Sequence, residues 1–171
     1  MIIFFVVAII LLTIYETLIC IKRKYNRRHT FKLAKARSDA TRLPLLVIGD
    51  PYNGLASIVT GSDYGCGDIC VDMCGCKCDN SVKDKLENFI QKINVNDYII
   101  FISCVLEYVD DLPLILSYLT NMNPDNLFIV SVESYCLMSR FYPCFLTKEQ
   151  PPKYIIYDAP PNSNTIIYQI I

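Results

Sequence analysis

The 171-residue chain predicts an α/β protein: an N-terminal transmembrane helix, then an open, mostly parallel sheet finished by a C-terminal antiparallel hairpin. Three observations carry this expectation. "MIIFFVVAIILLTIYETLICI" (1–21) is nearly all apolar, and about 20 residues at about 1.5 Å each match a hydrocarbon core about 30 Å thick. Short apolar runs then alternate with helical patterns, as in parallel strands joined by helices. Two further strand-like runs close the chain with a Pro-Pro-Asn-Ser turn between them, the spacing of a hairpin.

The first segment reads as a permanent anchor. A cleaved leader needs a basic start and a small-residue cleavage site, and here the basic residues follow the apolar run. Hydrophobic residues make up 53% of the chain and mean hydropathy is +0.32, consistent with a part that meets lipid.

Charge divides the remainder. Residues 22–42 hold nine Lys or Arg and one Asp, a net of +8, whereas residues 43–171 hold seven Lys or Arg and fifteen Asp or Glu, a net of −8. Basic residues beside a span favour the cytoplasmic side. The expected arrangement is single-pass, with residues 2–21 in the bilayer, residues 22–42 on anionic headgroups, and the domain from 43 to 171 on the cytoplasmic side. Nucleic acid is not an expected partner, because few aromatic residues interleave with the basic run.

In that domain, "LPLLVIGD" (43–50) reads as a buried strand stopped by a turn, and "DICVDM" (68–73) as a second strand. "NSVKDKLENFIQKI" (80–93) predicts an amphipathic helix with Val82, Leu86, Phe89, Ile90 and Ile93 on one face. "DYIIFISCV" (97–105) is a continuous apolar run, as when helices cover both faces of a sheet. "DDLPLILSYLTNM" (110–122) predicts a helix with Pro113 in its first turn. "NLFIVSVES" (126–134), "KYIIYDA" (153–159) and "NTIIYQII" (164–171) predict the last three strands.

Five of nine cysteines crowd into "SDYGCGDICVDMCGCKC" (62–78). The stretch reads as a metal knot, a glycine loop or a strand with its turns. Its spacing, C-x3-C-x3-C-x-C-x-C, departs from the paired C-x2–4-C knuckles of structural zinc. The strand reading is therefore preferred, with Cys70, Asp72 and Cys74 on one face, and no metal is expected. An odd number of cysteines in a reducing compartment also predicts no disulfide framework.

The apolar strand of "LLVIGDPYNG" (45–54) runs into Gly49, Asp50 and Gly54, and glycine lets a backbone approach a ligand closely. Asp72 ends the second strand, where an acid can accept bonds from both hydroxyls of a ribose. "SCVLEYVDD" (103–111) follows the central strand. On these motifs residues 43–171 resemble a class I S-adenosylmethionine-dependent methyltransferase, a Rossmann-like fold. The resemblance implies that Gly49, Asp50 and Gly54 line the methionine end of S-adenosylmethionine. It further implies that Asp72 holds the ribose, that Asp79 approaches the adenine, and that Ser103, Val105 and Glu107 flank the cofactor or substrate. The proline at position 51 and the missing acidic-x-Gly-x-Gly pattern depart from the family. No residue stands out as catalytic. Two functions follow: methyl transfer to a small molecule, lipid or membrane-adjacent protein, or an inactive methyltransferase-like fold serving as a membrane-anchored interaction protein.

Overall fold

A computed structural model describes residues 2–52, 64–130, 154–156 and 167–170. The chain opens with α1 (Ile2–Thr41), followed by β1 (Leu45–Ile48), β2 (Ile69–Asp72), β3 (Ser81–Lys83), α2 (Leu86–Ile90), β4 (Ile99–Ser103), α3 (Leu112–Leu119), β5 (Leu127–Val130), β6 (Tyr154–Ile156) and β7 (Ile167–Ile170). The seven strands form one sheet in the order β3-β2-β1-β4-β5-β7-β6. Strands β3, β2, β1, β4 and β5 are mutually parallel, while β7 runs antiparallel between β5 and β6. The expected α/β class and parallel sheet are therefore present. The terminal hairpin pairs as expected, but its second strand is the one that meets β5.

The alternation of side chains along each strand divides the core between the two faces. Leu46, Ile48, Val71, Ile100, Ile102, Leu127 and Ile129 join α2 and α3 on one face. Leu45, Val47, Cys70, Ile99, Phe101 and Val130 join Ala34 of α1 and Tyr64 on the other. Strands β1 and β4 are buried at every position, which is why they read as continuous apolar runs rather than alternating ones. At the start of α3, the Asp111 side chain accepts from the Leu114 N–H and Pro113 lies in the first turn; both satisfy the demands of a helix N-terminus.

One helix expectation is corrected. Residues 81–83 form the edge strand β3, with Val82 beside Val71, and only Leu86–Ile90 is helical. Val82 and Ile93 still pack on the same core cluster as Leu86, Phe89 and Ile90. The apolar pattern thus marked the buried residues, but Val82 reaches the core from an extended backbone.

Helix α1 does more than lead into the domain. The basic segment forms its second half, and Thr30, Ala34 and Ser38 are buried at a spacing of four residues, one face of a helix. Arg37 donates from Nε to Asn126 Oδ1 at 3.1 Å, just before β5, while Arg27 donates from Nη2 to Cys104 Sγ at 3.0 Å, just after β4. The helix therefore runs antiparallel to the parallel strands, and its N-terminal half extends past their carboxyl ends. It stops where Arg42 takes a φ of 60° and Ser38 Oγ donates to the Leu43 carbonyl.

The transmembrane part of the expectation is not carried by the described residues, among which no helix is long and apolar enough to cross a membrane. The exposed, mainly apolar run of described side chains Phe4–Tyr15 covers about 18 Å at 1.5 Å per residue.

The expectation of no disulfide is also corrected, because Cys66 and Cys78 are bonded. The reason lies in the strand register. Cys70 pairs with Ser81 in the parallel β2–β3 ladder, an offset of eleven residues. That offset carries Cys66 opposite Lys77, next to Cys78, at the amino edge of both strands.

Candidate functional site

The order β3-β2-β1-β4-β5 places the reversal of strand order between the parallel neighbours β1 and β4, and ligands of open α/β sheets bind beyond the carboxyl ends of strands at such a point. Gly49 is the first residue past β1. Its φ of 109° lies in the region that disfavours side chains. A Cβ there would lie 2.8 Å from the Ser103 carbonyl oxygen, 3.0 Å from Val105 Cγ2 and 3.3 Å from the Tyr64 hydroxyl. The Gly49 N–H bonds the Val71 carbonyl at 2.8 Å, which ties the end of β1 to the end of β2.

The expected residues fall as follows. Gly49, Ser103 and Val105 meet at the switch point. Asp50 comes next in the chain, half-buried, and its Oδ1 accepts from the Tyr52 N–H at 2.8 Å, closing a tight turn. Asp72 ends β2 beside Gly49's partner Val71. Its Oδ1 accepts from the Cys74 N–H at 2.8 Å, and its other oxygen makes no hydrogen bond among the described residues. Asp79 is exposed in the turn leading to β3, at the opposite edge of the sheet from Gly49. Glu107 belongs to the 3-10 turn Leu106–Tyr108 after β4. Gly54 lies outside the described residues.

Ser103 is the polar residue of greatest interest. Its hydroxyl is buried and lacks a hydrogen-bond partner of good geometry among the described residues, although the Tyr64 phenol lies close enough to interact with it. A buried hydroxyl left in this state costs free energy unless something else satisfies it. The adjacent Cys104 adopts a φ of 54°, and its N–H bonds Val130 at 2.7 Å. A non-glycine residue held in that region is a local strain, and such strain gathers at functional positions.

Three contributors escaped the sequence reading. Tyr64 is 4% exposed and stacks its edge and face against Phe31 and Phe101, with centroids 6.0 and 5.1 Å away. Burial pushes its phenol above the ordinary value. Arg27 and Cys104 complete the rim. The small residues Thr30, Ala34 and Ser38 at every fourth position of the basic segment were the available signal that this segment packs on a sheet.

Comparison with protein-family models, curated proteins and solved structures finds no match.

Proposed function

We propose that the chain is a membrane-anchored, S-adenosylmethionine-dependent methyltransferase-like protein, transferring a methyl group to a small molecule, lipid or membrane-adjacent protein. The observation that carries this reading is the meeting of Gly49, at a φ of 109°, with Ser103 at the β1/β4 switch point. Two features fit the cofactor. A close backbone approach is open only where no Cβ intervenes, as at Gly49, and the Ser103 hydroxyl offers an unmet hydrogen bond. The antiparallel β7 agrees with the resemblance seen in the sequence.

When bound, the cofactor supplies a methyl group on an electron-poor sulfonium. The chain's own residues bind and orient. Gly49, Asp50 and Gly54 would lie along the methionine end. Asp72 would accept from the ribose hydroxyls with the oxygen its turn does not use. Ser103, Val105 and Glu107 would flank the cofactor or acceptor, whereas Asp79, at the opposite edge of the sheet, lies away from that site and is dropped from the adenine role that the resemblance implied.

The anchor belongs to the same proposal. Phe4 is 83% exposed, and Phe5, Val6, Val7, Ile9, Ile10, Leu11, Leu12, Ile14, Leu18 and Ile21 are exposed along the same helix. Residues 2–21 together would span about 30 Å, with the first of the lysines and arginines that follow at the cytoplasmic surface, while Arg37, on Asn126, stays with the sheet.

One observation favours the second reading, an inactive fold used as a membrane-anchored interaction protein. The Tyr64 hydroxyl and the Val105 side chain press on the space in front of Gly49.

Calorimetric titration of S-adenosylmethionine and its demethylated product into the full chain in detergent separates the two. The full chain is required because α1 covers one face of the sheet. Micromolar binding abolished by Asp72→Ala supports the first reading. A folded sample that binds neither ligand sinks it and leaves the second.

A further inference from the structure

The corner of the sheet at the amino edge of β2 and β3 gathers more sulfur than one disulfide uses. The Sγ atoms of Cys66, Cys70 and Cys78 all lie within 4.8 Å of one another. The Cys76 thiol interacts with that of Cys70 and lies 3.2 Å from Ser81 Oγ. The Cys76 N–H bonds the same hydroxyl at 2.9 Å, which fixes the backbone at that point. The Gly67 N–H points at Cys70 Sγ at 3.4 Å. Two arms of the chain thus deliver two sulfurs each, Cys66 and Cys70 from one and Cys76 and Cys78 from the other.

We propose that these four cysteines form a structural zinc centre in the reduced chain, and that the Cys66–Cys78 disulfide is its oxidised, metal-free form. Thiolates are soft ligands, and four of them in a tetrahedral arrangement select zinc over magnesium or calcium. The N–H of Gly67 supplies the outer hydrogen bond that steadies a ligating sulfur. Cys66-x3-Cys70 has the spacing of a zinc knuckle, while Cys76-x-Cys78 is shorter and relies on the β2–β3 register to bring its sulfurs round. A thiol-exchange role is disfavoured by geometry: Cys70 is 0% exposed, so no partner disulfide or thiol reaches it.

The conversion balances. A dithiol reductant attacks the Cys66–Cys78 bond, gives it two electrons and two protons, and leaves as a cyclic disulfide. Zinc then displaces one proton from each of four thiols, and four Zn–S bonds form as four protons pass to solvent. The centre would clamp the connection that leaves Asp72, whose carboxylate is bonded by the Cys74 N–H.

The test uses the full chain, reduced by a dithiol and handled without oxygen. Zinc content is measured after exposure to buffered zinc, and cobalt serves as a coloured substitute. The expected result is one tightly held zinc per chain and a thiolate-to-cobalt absorption band. Cys66→Ser and Cys70→Ser should each weaken zinc binding by at least about 100-fold, beyond what loss of an outer partner does, whereas Cys74→Ser, outside the cluster, should not. Thiol alkylation of the wild type, read by mass spectrometry, needs no variant. Zinc should shield Cys66 and Cys76, the members of the cluster that are not buried, while Cys74 reacts. A folded, reduced wild type that retains no zinc overturns the proposal, as do equal retention by Cys70→Ser and alkylation of Cys66 and Cys76 that zinc does not slow.

Discussion

A Cβ at Gly49 would stand 2.8 Å from the carbonyl oxygen of Ser103, so the first turn after β1 and the last residue of β4 are in backbone contact. Gly49→Ala must push one strand end away from the other and also hold alanine at a φ of 109°. The expected loss is about 1–3 kcal/mol of stability, read from urea unfolding midpoints. Under the proposed function, cofactor binding is lost as well.

Ser103→Ala separates stability from binding. The hydroxyl has no well-placed partner among the described residues, so its removal discards an unmet polar group. Stability should change by less than about 0.5 kcal/mol or rise, while S-adenosylmethionine affinity should fall if the hydroxyl serves the cofactor. A large destabilisation would mean that the contact with Tyr64 is a strong hydrogen bond.

Tyr64 predicts an alkaline limit. Burial raises its phenol above the ordinary value of 10.0. The folded chain then keeps a proton that the unfolded chain loses, so stability is complete below pH 10 and falls as pH rises beyond it. Urea midpoints at about pH 8 and about pH 11 should diverge. Tyr64→Phe preserves the ring against Phe31 and Phe101 and should narrow that divergence.

The packed face of α1 can be tested directly. Ala34 is fully buried against the sheet, so Ala34→Leu should cost about 1–3 kcal/mol through overpacking. Its neighbour Leu33 is exposed, and Leu33→Ala should stay within about 0.5 kcal/mol. Equal effects would show that the helix does not rest on the sheet.

The elements most legible in the sequence were those whose burial is uniform. Ile99–Ser103 is buried at all five positions, and only a central strand between two helical layers asks for that pattern. Pro113 likewise announced the start of α3. Val82 misled because its apolar side chain falls in step with a helical face while its backbone pairs with β2. Gly49, Ser103 and Val105 were singled out and do meet. Tyr64 and Arg27 were missed because their partners, Phe101 and Cys104, are 37 and 77 residues away in the chain. The Cys66–Cys78 bond was hidden for the same reason, since only the β2–β3 register shows that the two residues share an edge.

Helix α1 is unbroken from Ile2 to Thr41, and its path from Asn126 to Cys104 points its greasy end the same way as the sheet's carboxyl edge. No break in the helix separates the two halves. Some 25 residues precede Arg27, a length of about 38 Å. If that end is seated in a bilayer, as the proposed anchoring has it, the mouth of the sheet would look down on the headgroup layer. Under the proposed function, an acceptor resting in that layer would meet Gly49 and Ser103 without leaving the membrane, whereas one arriving from the aqueous side would have to slip in beneath the domain.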